Sequence, residues 1–318
     1  MKILYVGSRD NNHSAFGGYD KITDMPGSDW LSNKDALFGF SKNRILIRLN
    51  SLLLDLKVRF LAKNYDIVHF FYGDAFVRFP YYSKKTKFIT TIHLDFNHKK
   101  WNQKGFEKSV KSMSGVIVLS RQQQNDLVKY HGINSYFIPH GFDKPEYIKI
   151  KQSTMDIRKI NIVFIGRNYR DIKTFDYIIK KNYDNIIFHC IGQNKEFKEK
   201  YKTQKNVIIY DRLDDNNYYS LIEQCDYNFL PLTYATANNA LLEAQYLNVK
   251  SILPKISGIS DYAESNTENI FYENLTDLDN IFQNLKKYEK NNNLNNFSQK
   301  YSWINVYKLL IEYYGNLK

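Results

Sequence analysis

The chain is short of the residues that cross-link or punctuate a protein: 318 residues hold two cysteines, six prolines and 14 glycines. Cys190 and Cys225 have no metal-site spacing and imply no disulfide framework, which points to a reducing compartment. So little Pro and Gly excludes collagen-like or long flexible segments. No apolar run approaches the roughly 18 uncharged residues of a membrane span, and MKILYVGSRD is too short an apolar start for a signal peptide. A soluble, cytoplasmic chain is expected, with a peripheral seat on the inner face of a membrane left open. Catalytic signatures are also missing. There is no G-x-G-x-x-G, no P-loop, no H-E-x-x-H and no G-x-S-x-G elbow. No two carboxylates stand out as an acid–base pair. The adjacent Asp214-Asp215 reads as a helix cap. A metal-independent mechanism with no cofactor is expected. No helix-turn-helix, ribonucleoprotein or zinc pattern occurs, so nucleic acid is not an expected partner.

Acid is the scarcer charge, at 33 Asp and Glu against 45 Lys and Arg, for a net +12. The surplus is one-sided. Residues 1–150 carry 23 basic and 13 acidic side chains, a net of +10, and residues 151–318 carry 22 and 20, a net of +2. A basic first half suits an anionic membrane surface, a pyrophosphate-linked acceptor or nucleic acid; a merely soluble basic domain is the plain alternative. Arg44 to Asn64 is amphipathic at helical spacing, with Arg44, Arg48, Lys57, Arg59 and Lys63 on its polar face. A core helix with a solvated basic face is the preferred reading, ahead of a membrane-facing one.

Short apolar runs alternate with helical patterns through both halves. KILYVG (2–7), Asp66–Tyr72, Lys87–His93, Gly115–Leu119 and Tyr136–Pro139 read as strands of the first half. Ile160–Ile165, Asn185–Ile191, Asn206–Tyr210, Asp226–Leu230, Val249–Leu253 and Asn269–Tyr272 read as strands of the second. This alternation predicts an α/β fold of two doubly wound parallel-sheet domains, 1–150 and 151–301. Lys144–Lys159 reads as the linker, and a final amphipathic helix occupies 302–318.

Pro231 to Glu243 (PLTYATANNALLE) is the stretch with the most to say. A strand runs into a small-residue loop and then a helix, an arrangement that presents free N–H groups and a positive dipole end to phosphate. Glu243, one turn into that helix, is placed to reach a ribose diol; an ordinary strand-to-helix connection with a solvated Glu is the alternative. Arg167 follows a strand and Lys173 lies one turn into the next helix. Both can steady a departing pyrophosphate, with Arg170 a competitor, or they are surface charges of a βα loop. Ligands of open parallel sheets bind outside the carboxyl ends of strands, which favours His93 over the core-like His69. The loop after the first strand carries His13 and the pair Gly17-Gly18, which permits close approach of a ligand or acceptor, or is a plain turn.

Together these stretches resemble the GT-B nucleotide-sugar glycosyltransferases, in particular the retaining family four (glycosyl transferases group 1). The resemblance rests on KILYVG with Gly17-Gly18, on Gly115–Asp143 with Ser120 and the turn Ile138-Pro139-His140-Gly141-Phe142-Asp143, on Ile165-Gly166-Arg167, on NNALLEA at Asn238–Ala244, and on the closing YSWINVYKLLIEYY. It implies two Rossmann-like domains facing a cleft, with the final helix crossing back to the first. It implies that Arg167 and Lys173 bind the donor diphosphate, that Glu243 binds the ribose, and that N–H groups near Ala240 and Leu241 meet the phosphates. His93 then lies by the donor sugar or pyrophosphate and Gly18 near the donor phosphates, with Gly17 and His13 on the acceptor side. Two features depart from the family. Its glutamate pair has seven residues between the members, and counting back from Glu243 lands on Ala235, with Ala235-Thr236-Ala237-Asn238 in place of E-G-F-G. The step from Arg167 to Lys173 is one residue longer than usual. Asn238 or Asn239 then stand as substitute hydrogen-bond partners for the sugar. The expected activity is transfer of a sugar, hexosyl in type, from a UDP- or GDP-linked donor to a saccharide or lipid-linked acceptor, in surface polysaccharide or glycoconjugate synthesis. A nucleotide-sugar epimerase of the same fold and a non-catalytic partner subunit are the alternatives.

Overall fold

The computed structural model describes residues 1–8, 18–32, 44–103, 105–143, 155–263, 269–287 and 300–317. His13, Gly17 and much of the expected linker lie outside these residues. The chain divides into two compact units, one of residues 1–143 with 301–318 and one of residues 144–300.

The first unit is built on six parallel strands: β1 (Ile3–Gly7), β2 (Ser28–Ser32), β3 (Ile67–Phe70), β4 (Lys87–Ile92), β5 (Gly115–Val118) and β6 (Tyr136–Phe137). Their order is β2-β1-β3-β4-β5-β6. Every residue of β1, β3 and β5 is buried, as a parallel sheet covered on both faces requires. The covering helices are α1 (Arg44–Ala62), α2 (Gly73–Phe76), α3 (Phe106–Lys111) and α4 (Arg121–His131). Leu54, Val58 and Ala62 of α1 join the core with Val68, Phe70 and Phe88. Ser120 caps α4 as expected, its Oγ accepting the Gln123 N–H at 3.1 Å.

The final helix, Trp303–Asn316, belongs to this unit, which is the return crossing that the closing sequence implied. Its Trp303 ring lies so close to Gly141 that a Cβ there would sit 2.5 Å from it. Asp143 Oδ2 accepts the Trp303 N–H at 3.1 Å. The Tyr314 hydroxyl lies 2.6 Å from Nδ1 of His69, whose Nε2 lies 2.8 Å from Thr91 Oγ1. His69 is therefore core, as its mid-strand place suggested, with both ring nitrogens partnered.

The second unit carries β7 (Ile160–Ile165), β8 (Ile186–Ile191), β9 (Val207–Tyr210), β10 (Tyr227–Phe229), β11 (Lys250–Pro254) and β12 (Ile270–Tyr272), all parallel, in the order β12-β11-β10-β7-β8-β9. Read from β9, the first strand lies third and the chain reverses between β7 and β10, the Rossmann order. The helices are α5 (Ile172–Lys180), α6 (Lys195–Tyr201), α7 (Asp215–Gln224), α8 (Asn239–Tyr246), α9 (Ser257–Ser260) and α10 (Leu275–Gln283). Phe164, Phe175, Phe188, Phe229 and Phe282 are buried at its centre. Asp214 caps α7 by accepting the Asn217 N–H at 2.9 Å. The two-sheet α/β architecture read from the alternation is found, together with elements that the alternation did not mark. β2 (SDWLS) is half polar and only its last two residues are buried, so no apolar run announces it. α2, α3 and α9 are too short to show a helical period.

Burial lowers the pKa of His69 to about 3 and that of His189, which bridges Asn161 and Tyr210, to about 4. Both stay neutral in the folded chain while their unfolded counterparts titrate near 6.5, so the unfolded state holds the extra protons between those values. Stability is then full above pH 6.5 and falls as the pH drops toward 4. At pH 5, unfolding should take up about two protons from these histidines beyond the carboxylate contribution. Calorimetry in buffers of different ionisation enthalpy measures this, and His189→Gln should remove about one of the two.

Candidate functional site

In the second unit the carboxyl ends of β7 and β10 stand side by side, paired through Tyr227–Ile162 and Asn228–Val163. The loops leaving them are joined. The Asp171 N–H donates to the Pro231 carbonyl at 2.7 Å, and Thr233 donates to the Tyr169 carbonyl through its N–H (2.9 Å) and its hydroxyl (3.3 Å). Arg170 and Leu232 form an isolated antiparallel bridge. This brings the Arg167–Lys173 segment against Pro231–Glu243, the two stretches singled out in sequence, at the point where an open α/β sheet binds its ligand.

The loop after β7 turns on Gly166 at φ 77 and Tyr169 at φ 55. A left-handed turn suits glycine and is uncommon for tyrosine. Tyr169 is held there by its carbonyl's two bonds to Thr233. Gln193 Nε2 donates to the Gly166 carbonyl at 2.8 Å. Arg170 folds back onto the strand end, donating to the Ile165 carbonyl from Nε (2.9 Å) and Nη2 (2.6 Å) and to the Asn168 carbonyl from Nη1 (2.9 Å). Burial brings its guanidinium down to about 10, still charged at neutral pH. Arg170 thus spends its donors on the loop. Arg167 and Lys173 are both exposed, and neither side chain has a partner among the described residues. Asp171 caps α5, accepting the N–H groups of Lys173 (3.0 Å) and Thr174 (3.2 Å), so the backbone beneath Lys173 is pinned.

On the other side, α8 begins after Asn238, whose Oδ1 accepts the Leu241 N–H at 3.2 Å. That N–H, implied as a phosphate donor, is already taken by the cap. The Ala240 N–H has no acceptor among the described residues, and Asn228 Nδ2 reaches the Ala240 carbonyl at 3.4 Å from β10. Asn239 opens the helix. Glu243 is 2% exposed, not solvated, and accepts the Tyr218 hydroxyl of α7 at 2.5 Å. Ala235 is buried too, and its carbonyl abuts Gly258 of α9, where a Cβ would come within 1.9 Å of it. The position where a first glutamate was counted is therefore interior wall.

In the first unit, His93 follows β4. Its N–H donates to Asp74 Oδ1 at 2.9 Å, and its Nε2 lies 2.8 Å from the Phe71 carbonyl and so carries the proton. Gln123 ties the same corner together, donating to the Ile92 and Leu94 carbonyls at 2.9 Å each. Gly18 is buried and opens a 3-10 turn, Tyr19–Asp24. The Tyr19 ring meets the His93 ring edge-on at 5.3 Å and also touches His140 and Trp303. Gly18 and His93, far apart in sequence, are thus brought to one corner.

Residues 22–144, nearly all within the first unit, match the family described as Glycosyltransferase Family 4. No curated protein is similar to the chain by sequence. Solved structures are similar over nearly its whole length. Sucrose-phosphate synthase from Thermosynechococcus elongatus is 13% identical with a TM-score of 0.68, over 99% of this chain and 88% of that one. HepE from Anabaena, solved in complex with UDP, is 15% identical with a TM-score of 0.70, over 100% of both chains. The catalytic domain of starch synthase IV from Arabidopsis thaliana, bound to ADP and acarbose, is 11% identical with a TM-score of 0.71, over 99% of this chain and 98% of that one. The fold is that of the GT-B glycosyltransferases. Within that fold, the β7–β10 loops form the switch point of the second Rossmann-like unit.

Tyr218, Gln193 and Asp171 went unremarked in the sequence: a Tyr and a Gln in polar helical or loop segments carry no spacing signal, while Asp171, directly before the helical run from Ile172, carried the same cap signal as Asp214 and was passed over. Removing the hydroxyl by Tyr218→Phe should cost about 1–3 kcal/mol of stability, because Glu243 is left buried and short of a donor. Gly258→Ala should cost a similar amount, about 1–3 kcal/mol, by overpacking against the Ala235 carbonyl. Urea unfolding at neutral pH measures both, and an unchanged midpoint in either would remove the contact from the account.

Proposed function

We propose that the protein transfers a sugar from a nucleoside diphosphate donor, UDP- or GDP-linked, to a saccharide or lipid-linked acceptor, with retention at the anomeric carbon and without a metal ion. The observation that carries this reading is the joining of the two loops at the β7–β10 switch point: one loop carries the exposed cations Arg167 and Lys173, and the other leads to the helix start at Asn239 and the buried carboxylate of Glu243. Cations and a helix N-terminus suit a diphosphate. A carboxylate accepts at two oxygens, so one oriented by the Tyr218 hydroxyl suits a pair of ribose hydroxyls. Negative charge grows on the diphosphate as the glycosidic bond breaks, so fixed positive groups there lower the barrier. In the first unit, His93 is assigned to the donor sugar or pyrophosphate and Gly18 to the donor phosphates, with His13 and Gly17, which lie outside the described residues, on the acceptor side. The membership of residues 22–144 in the pattern of Glycosyltransferase Family 4 and the UDP complex of HepE support the donor class. A hexosyl donor and a role in surface polysaccharide or glycoconjugate synthesis complete the proposal.

Titration with UDP and GDP, read by thermal shift, identifies the base, since a ligand at 100-fold its Kd adds about 2.7 kcal/mol of stability. Arg167→Ala should weaken binding of the preferred diphosphate about tenfold or more and that of the bare nucleoside hardly at all. Glu243→Gln should shrink the preference for the ribonucleotide over its 2′-deoxy analogue. Incubation with nucleotide sugars should release free diphosphate, unaffected by a chelator. Isomerised nucleotide sugar in its place would identify an epimerase, and silence with every nucleotide would sink the proposal.

A further inference from the structure

Helix α1 has two apolar faces. Leu54, Val58 and Ala62 point into the core. On the opposite side Ile45 (67% exposed), Leu49 (41%), Leu52 (41%), Leu56 (62%) and Phe60 (70%) stand in solvent. At 100° per residue these five fall within roughly 80° of arc and run about 22 Å along the helix. A soluble surface scatters its exposed apolar residues, and a contiguous stripe marks an interaction site. Of the basic face expected here, Lys57, Arg59 and Lys63 are exposed, while the side chains of Arg44 and Arg48 lie outside the described ones; the apolar stripe is an addition that the sequence reading did not mark.

That end carries the charge. Lys57 and Arg59 are exposed in the carboxyl-terminal half of α1 and Lys63 just beyond its end, and Lys63 Nζ lies 4.7 Å over the Phe60 ring. The loop of residues 79–85 is fastened beside them. Arg59 Nη2 donates to the Pro80 carbonyl at 3.1 Å, and Lys85 Nζ donates to the Lys63 carbonyl at 3.3 Å. This loop adds exposed Phe79, Tyr82, Lys84 and Lys85. The one acidic group of the helix, Asp55, is buried and bonded to Arg59 and Tyr81. It neutralises part of Arg59 and leaves the lysines as they are.

We propose that this surface, the outer stripe of α1 with the 79–85 loop, seats the protein on an anionic lipid bilayer, with α1 lying in the plane of the interface. An in-plane helix needs an apolar stripe bordered by cations, and aromatic side chains settle at the headgroup level beside them. The charge is complementary to anionic lipid, and the first 150 residues hold +10 of the chain's +12. The same charge opposes a second copy as the occupant, since pairing would set two surfaces of like net charge against each other. No helix among the described residues is long and apolar enough to cross a membrane, so the seat is peripheral. The inference rests on this surface alone and survives the failure of the sugar-transfer reading.

The full chain is mixed with vesicles of phosphatidylcholine, with and without about one third phosphatidylglycerol, and bound protein is separated by flotation. Binding should require the anionic lipid and weaken with salt. Leu56→Ser with Phe60→Ser should lower vesicle affinity about tenfold. Lys63→Gln, Lys84→Gln and Lys85→Gln should each lower it about fivefold. These positions are exposed, so the melting temperature and nucleotide response should stay as in the parent, and a variant that fails this check is replaced by the corresponding Ala variant. No flotation with anionic vesicles, equal binding to neutral ones, or variants that bind like the parent would each overturn the proposal. So would a dimer in solution, by light scattering, that Leu56→Ser with Phe60→Ser dissolves.

Discussion

The second unit turns on the hydrogen bonds that join the loops after β7 and β10. Asp171 to Pro231 and Thr233 to Tyr169 are backbone contacts, so they set the spacing of the two segments whatever side chains those segments carry. Arg170 and Gln193 add to this frame by occupying the carbonyls at the end of β7 and at Gly166. The consequence is a division of labour among cations of one short loop. Arg170 holds the loop's shape, which leaves Arg167 and Lys173 to face solvent. A single arginine cannot do both, because its donors point in fixed directions from one plane.

The same economy governs the anionic side. Glu243 is buried, and a buried carboxylate without donors is costly. Tyr218 provides one donor from a neighbouring helix and fixes the orientation of the acid. Ala235 and Gly258 illustrate the reverse case, where the absence of side chain is the requirement. The Ala235 carbonyl fills the space that a Cβ at residue 258 would need. The glutamate that the family pattern would place at Ala235 thus coincides with a packed junction between the loop and α9.

The α/β alternation, both sheets and the identity of the switch-point segments were legible in the sequence, because apolar runs and strand-to-helix loops depend on local pattern. Ser120 and Asp214 announced their caps for the same reason. Long-range polar pairings were not legible. Nothing near Tyr218 in sequence refers to Glu243, and nothing near His69 refers to Tyr314. The alternative of a solvated Glu243 failed because burial is a property of what packs over a residue. The apolar stripe on the outer side of α1 went unread for a related reason, since helical spacing reveals two apolar stripes only when it is known which of them the sheet covers. Edge strand β2 was passed over because its mixed polarity resembles a loop.

The final helix carries one more consequence. It fills the hollow at Gly141 with Trp303 and supplies the Tyr314 hydroxyl to the buried His69. The first unit is therefore built from both extremes of the sequence, while the strands of the second come from a single uninterrupted stretch. During synthesis, β7 to β12 are all available as soon as residue 272 has emerged from the ribosome. The earlier strands must wait, with Gly115, Gly141 and His69 uncovered, until the helix Trp303–Asn316 arrives. In the order of assembly, the half of the protein made first is the half completed last.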